Sequence, residues 1–190
     1  MMHLNLKKTS LFILFLVFCV FIAQPVLAKD EIRYSKYNIH TQSKDGKNAK
    51  ASYANYTRPG EGHIIVPAGT KLVITRKSRK RFTFTYDDGA KKVVFEFHQP
   101  RMGMDVDEYL DKISSAEPTT LDGLSKLDRK GVEQGVALVG MSRKGVMAAL
   151  GYPATHRTPS LEATTWVYWA NRFKTVGVDF DDSGKVKAIR

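Results

Sequence analysis

The sequence predicts an α+β fold in which a small all-β module comes first and helices followed by strands come after it. Three observations carry this reading. Short β-branched and aromatic runs occupy residues 64–97, helical spacings of apolar residues take over between Asp105 and Leu150, and strand-like runs return between Thr164 and Ile189. Strands, then helices, then strands argue for α+β and against a doubly wound parallel sheet.

Met1 to Ala28 reads as a secretory leader. Lys7 and Lys8 precede an apolar run from Leu11 to Ala23, and Val26-Leu27-Ala28 ends in the small-residue pattern of a cleavage site after Ala28. The run is shorter than the roughly 20 residues that span a bilayer, which disfavours a retained anchor. Cys19, the only cysteine, follows Leu16-Val17-Phe18. Bulky Val17 and Phe18 stand where a lipobox has small residues, so lipidation is not expected. Cleavage leaves no cysteine, hence no disulfide, thiolate metal site or cysteine nucleophile. The core alone must hold the mature chain, whose length suits one domain or two small ones.

Charge divides the chain. Residues 29–98 hold 15 Lys and Arg against 7 Asp and Glu, whereas 99–190 hold 13 against 12. The predicted organisation is a basic β-rich module at 29–98, a connecting segment with a helix at 99–120, and a second module at 121–190.

In the first module, Ile64 to Val66, Lys71 to Thr75, Arg81 to Tyr86 and Lys91 to Phe97 are predicted strands, separated by Pro67-Ala68-Gly69, a basic turn at Arg76 to Lys80, and Asp87-Asp88-Gly89. The last is a hairpin signature, because Asp and Gly tolerate the positive φ a tight turn needs. Phe82, Phe84 and Tyr86 alternate with polar residues, as do Phe95 and Phe97, which gives each strand one apolar face. Arg33 to His40 and Ala51 to Tyr56 are further strand candidates, with Ser43 to Lys50 a loop between them.

After a break at Pro100, an acidic first turn at Asp105 and an apolar face of Val106, Tyr109, Leu110 and Ile113 predict a helix at 105–115. Leu121, Leu124 and Leu127 place a second between Pro118 and Gly135. Ser142 is a good N-cap for a third at 143–150, and Gly151 with Pro153 stops it. Strands follow near 164–170, 173–180 and 185–189, with turns at Asn171-Arg172 and Asp181 to Gly184.

Gly140-Met141-Ser142 opening a short helix, Gly151-Tyr152-Pro153 closing it, Trp166-Val167-Tyr168 on the next strand and Val178-Asp179-Phe180 before a turn resemble the SmpA/OmlA family of BamE-like envelope proteins. The resemblance covers about residues 121–190. It implies two helices on a three-stranded antiparallel sheet, a fold similar to that of β-lactamase-inhibitor proteins. It also implies a role in outer-membrane assembly or envelope integrity without catalytic residues. The missing lipobox departs from the family pattern.

The search for chemistry returns few leads. His3, His40, His63, His98 and His156 are scattered, and no phosphate loop, nucleophile elbow or paired-carboxylate motif occurs. Helix-dipole complementation accounts for Asp105, Asp107, Glu108 and Asp111. Asp179, Asp181 and Asp182 with Ser183-Gly184 read as a β-turn, too short for an EF-hand. No catalytic residue, cofactor or metal is expected.

Two features point to binding. Arg76, Lys77, Arg79, Lys80 and Arg81 gather five charges at a predicted hairpin tip, a field suited to an acidic envelope or outer-membrane protein, anionic lipid or lipopolysaccharide phosphates. Export makes nucleic acid the poorest partner. Trp166, Tyr168 and Trp169 with Tyr152 and Phe173 form an aromatic group. Trp166 and Tyr168 share one strand face and Trp169 points to the other, so one set fills the core and the other is free to anchor an interface. The expected function is an exported, non-enzymatic binding or scaffold protein of the periplasm or outer membrane. A periplasmic ligand-binding protein or enzyme with a dispersed site, and an inhibitor of a secreted enzyme, are the alternatives.

Overall fold

The computed structural model describes residues 30–190, so the predicted leader lies outside the described residues. Seven strands come first: β1 (Glu31–Ser35), β2 (Ile39–Ser43), β3 (Asn48–Ser52), β4 (His63–Val66), β5 (Lys71–Ser78), β6 (Arg81–Tyr86) and β7 (Lys91–Glu96). Two short helices, α1 (Gln99–Met102) and α2 (Val106–Ile113), lead into β8 (Ser114–Ser115). These eight strands form one mixed sheet in the order β4-β2-β3-β7-β6-β5-β1-β8, with β3 parallel to β7. Helices α3 (Lys126–Gln134) and α4 (Arg143–Leu150) precede β9 (Thr165–Trp169), β10 (Thr175–Phe180) and β11 (Val186–Ile189), which make a three-stranded antiparallel sheet.

The α+β expectation is therefore corrected: the described residues are mostly β, with eleven strands in two sheets and four helices of at most nine residues among them. The missed strands are polar ones. Arg33 to His40 is two strands broken at Lys36 to Asn38, and half of the predicted loop at Ser43 to Lys50 is strand. In β2 the buried side chains include His40, Thr41 and Ser43. Hydrogen bonding rather than apolar alternation secures β2 between β4 and β3; Thr41 Oγ1 donates to Ile64 O and Ser43 Oγ to Asn48 O.

The inner face of the large sheet buries Phe82, Phe84, Val93 and Phe95 against Tyr109 and Leu110 of α2. Asp105 caps α2 and shares a reciprocal capping box with Glu108, fixing where the helix begins. Residues 99–115 thus pack with the first core. At the far side of that sheet, Asp87 (φ 56°), Asp88 (φ 49°) and Gly89 (φ 88°) turn β6 into β7 through the left-handed region, as the Asp-Asp-Gly sequence predicts.

A second core gathers Met141, Val146 and Leu150 around Trp166, Tyr168 and Phe180. Asp128, buried near the starts of α3 and α4, accepts from Ser125 N and Oγ (3.1 and 2.9 Å) and from Ser142 N and Oγ (2.8 and 3.1 Å). A Cβ at Gly145 would stand 2.2 Å from its Oδ1, so the close packing of α4 on Asp128 requires glycine there.

The two cores meet across a polar seam. Asn38 Nδ2 donates to Val132 O (2.7 Å), its backbone N–H donates to Ala148 O (2.9 Å), and its Oδ1 accepts from Ala68 N (3.0 Å). His40 contacts Ala149 O through Nε2 (2.9 Å) and His63 Nε2 through Nδ1 (3.0 Å). On the other side of the seam Thr57 N and Arg58 N donate to Trp169 O and Ala170 O. These bonds continue the edge of β9 into the segment that follows β3.

Candidate functional site

The basic segment is a hairpin, but not with the expected turn at Arg76 to Lys80: β5 continues to Ser78, the β5–β6 connection is Arg79 and Lys80 alone, and every residue from Thr75 to Arg81 is exposed. Its geometry depends on one irregularity. Ile74 pairs with Phe84, but the next pair is Arg76 with Thr83, so Thr75 is an extra residue in β5. Such a bulge shifts the faces of all later residues by one. Arg76 and Ser78 consequently join Arg81 and Thr83 on the outer face, and Lys77 falls on the other side.

Lys77 is occupied there. Its ammonium pairs with Glu31 (3.0 Å) and with Asp107 in the first turn of α2 (2.6 Å). These hydrogen bonds, Asp107 first, hold the Lys77 ammonium above its ordinary range. Lys77 is thus a strut between β5, β1 and α2, while Arg33 beside it pairs with Glu31 and Asp111.

The outer face is open and cationic. Thr75, Arg76, Ser78, Arg81, Thr83 and Lys92, with Val94, line a shallow depression of about 620 Å³. The parallel pairing of β3 with β7 sets Lys50 beside Val94, which extends the face by another cation. Arg81 lies opposite Glu96 in the register, the one acid in this part of the face. Among the described residues, Lys50, Arg76, Arg79, Lys80, Arg81 and Lys92 make no ion pair with a carboxylate. Thr75 Oγ1 and Ser78 Oγ donate to the carbonyls of Thr83 and Arg81 (3.3 and 3.1 Å), so the guanidinium and ammonium groups are the donors this face offers to oxyanions of a partner.

The aromatic candidates divide by strand face. Trp166 and Tyr168 are each 1% exposed and belong to the second core. Trp166 Nε1 donates to Leu161 O (3.1 Å), Tyr168 OH donates to Gly151 O (3.2 Å), and the Arg143 guanidinium lies 4.3 Å from the Phe180 ring centroid beside Trp166. Both are removed from the interaction surface. Trp169 is half-buried under Arg157, whose guanidinium lies 5.8 Å from its ring. Tyr152 packs edge-on against Tyr109 and ties the second module to the first core. Phe173, in the β9–β10 turn, is 84% exposed.

Lys50 and Lys92 are the outer-face cations that the hairpin pattern does not single out. Alternation in β7 exposes Lys92, but only the β3–β7 pairing brings Lys50 alongside. The histidines show a similar gap: His40 and His63, 23 residues apart, stack with ring centroids at 5.2 Å. Among the described residues no three His, Cys, Asp or Glu side chains converge as a metal cluster. No helix among them is long and apolar enough to cross a membrane.

Comparison of the chain with protein-family models, with curated proteins and with solved structures finds no match.

Proposed function

We propose that this chain is an exported, non-catalytic binding or scaffold protein of the cell envelope, and that the basic outer face of the large sheet is its interface for an acidic envelope or outer-membrane protein. The observation that carries the reading is the group of six cations on that face and hairpin without a carboxylate partner. A fold that uses Lys77 and Arg33 as internal struts while leaving these six free presents a field to a partner rather than a self-neutralised surface. The envelope setting rests on the leader pattern of residues 1–28. A role in outer-membrane assembly or integrity rests on the SmpA/OmlA resemblance of about residues 121–190.

The test is recovery of partners from envelope extract by the mature chain, beside a variant with Arg76, Arg79, Lys80, Arg81 and Lys92 all replaced by Gln. The wild type is expected to retain an acidic protein that salt elutes, and the variant to lose it. Equal recovery by both would remove the sheet face from the interface. Retention of anionic vesicles without any protein would redirect the reading to lipid.

A further inference from the structure

A second surface, independent of the sheet face, lies where the two cores meet. Four segments of the chain converge on it: 52–60 after β3, 97–104 through α1, 152–160 after α4, and 164–178 across β9 and β10. None contains an Asp or Glu. They are joined by the bonds from Thr57 N to Trp169 O (2.9 Å), Arg58 N to Ala170 O (2.8 Å) and His156 N to Arg101 O (2.9 Å). Arg101 Nη1 donates to the Tyr53 hydroxyl at 2.7 Å. The Tyr53 ring lies between the His98 and His156 imidazoles, at centroid distances of 5.8 and 6.3 Å. Arg157 covers Trp169.

The strip is built mainly of cations and rings, with Glu96 at its border beside Tyr53 and Tyr56. Arg58, Arg101, Arg157, Arg172 and Lys174 are all exposed, and none makes an ion pair among the described residues. Tyr53, Tyr56 and Trp169 are half-exposed, and Phe173 stands clear of the surface. Burial lifts the Tyr56 hydroxyl above its ordinary range, with Tyr53 and Glu96 adding to the rise and Arg172 and Arg101 opposing it, so these groups are neighbours. The Phe173 turn is fixed, because Asn171 Oδ1 accepts from the backbone N–H of both Phe173 and Lys174. Thr155 Oγ1 and Trp169 Nε1 are the two buried side-chain polar atoms without a hydrogen-bond partner among the described residues. Both belong to these segments, so the strip is also where the fold leaves polar groups over.

We infer that this strip binds an acidic glycan, a chain of sugar rings bearing carboxylate or phosphate groups. Guanidinium groups meet such oxyanions with paired N–H donors. Aromatic rings offer flat faces to the apolar C–H face of a pyranose, and Tyr53, Tyr56 and Trp169 are each half-exposed here. Alternating charge and ring stacking is the complement of an anionic sugar chain, whereas a polyanion without rings uses only the cations.

The experiment titrates the mature chain with an alginate oligouronate, with polyphosphate and with neutral dextran, following tryptophan fluorescence and heat. Four variants accompany it: Tyr56→Ala with Phe173→Ala, Phe173→Ala alone, Arg101→Gln with Arg172→Gln, and the sheet-face replacement of Arg76, Arg79, Lys80 and Arg81 by Gln. Wild type is expected to bind alginate and not dextran. Loss of the two rings should weaken alginate by at least about tenfold and leave polyphosphate unchanged, while loss of the two arginines should weaken both. The sheet-face variant should bind alginate as wild type does. Phe173→Ala alone is the safeguard for folding, since that side chain is 84% exposed, and it should reproduce part of the ring effect. No alginate binding by wild type, or ring variants that bind it as tightly as wild type, would overturn the inference. Alginate binding lost only in the sheet-face variant would overturn it too and move the ligand to the other surface.

Discussion

Lowering the pH from 7 to 5 should loosen the seam through His40, and the size of the effect follows from its surroundings. The ring is 2% exposed. Its Nε2 faces the carbonyl of Ala149 at 2.9 Å and so carries the proton, which leaves Nδ1 to accept from His63 Nε2 at 3.0 Å. A second proton would have to enter at Nδ1, against that N–H and away from water. Burial pushes His40 down to about 4 from the usual 6.5; the Ala149 carbonyl opposes the shift and His63 adds to it. In the unfolded chain His40 takes its proton near 6.5. Between the two values the unfolded state binds more protons, so stability rises with pH and falls as acid is added. The full effect below pH 4 is about 3 kcal/mol, and at pH 5 about 2 kcal/mol, at roughly 1.4 kcal/mol per pH unit. Urea unfolding of wild type and His40→Gln at pH 7 and pH 5 measures it. Carboxylates change little in that interval, so the difference reports the His40 ring together with the hydrogen bond it shares with His63. If the glutamine variant loses as much stability between pH 7 and 5 as wild type, the buried neutral histidine is not the cause.

Other outcomes are as definite. Asp128→Ala should cost about 3 kcal/mol, because it strands Ser125 and Ser142 donors at two helix starts, and guanidinium unfolding reads it directly. Despite burial, the hydrogen bonds from Ser142 and Ser125 hold the Asp128 carboxyl below its ordinary range; its stabilisation is present above about pH 4 and is lost as pH falls through the folded value. Trp166→Ala should cost about 3–5 kcal/mol and Phe173→Ala no more than about 0.5 kcal/mol, a contrast that thermal melting separates. Gly145→Ala should destabilise by about 1–3 kcal/mol, since its new Cβ meets the Asp128 carboxylate at 2.2 Å; hydrogen exchange should show the opening first at the starts of α3 and α4.

The elements that were legible carry local signals. The 143–150 helix lies where Ser142 and Gly151 bracket it, with Ser142 Oγ accepting from Gly145 N. The Asp-Asp-Gly turn and the parity of Trp166 and Tyr168 are equally local, since each depends on neighbours in sequence. What could not be read depends on distant partners or on hydrogen bonds in place of apolar side chains. Strand β2, paired between β4 and β3, buries His40, Thr41 and Ser43, and no alternation of hydrophobicity reports a strand made this way. The parallel β3–β7 pair, which broadens the basic face, joins segments separated by two intervening hairpin strands and β4. The seam strip is assembled from four such segments, so its composition was visible only as unrelated aromatics and arginines.

The bulge at Thr75 shows how a single residue decides which charges are free. Counted from Leu72 and Ile74, which point inward, regular alternation would send Arg76 toward α2 and Lys77 to the open face. The register step between Ile74 and Arg76 reverses both assignments. Lys77 then reaches Asp107 and Glu31, an arrangement in which two acids already near the helix start receive one cation. Arg76 joins Arg81 across from Thr83 and faces solvent with no carboxylate to neutralise it. Five charges in six residues are therefore not one patch. One of them braces the helix that supports the sheet, and the others, with Lys50 and Lys92 supplied by neighbouring strands, form the field a partner meets.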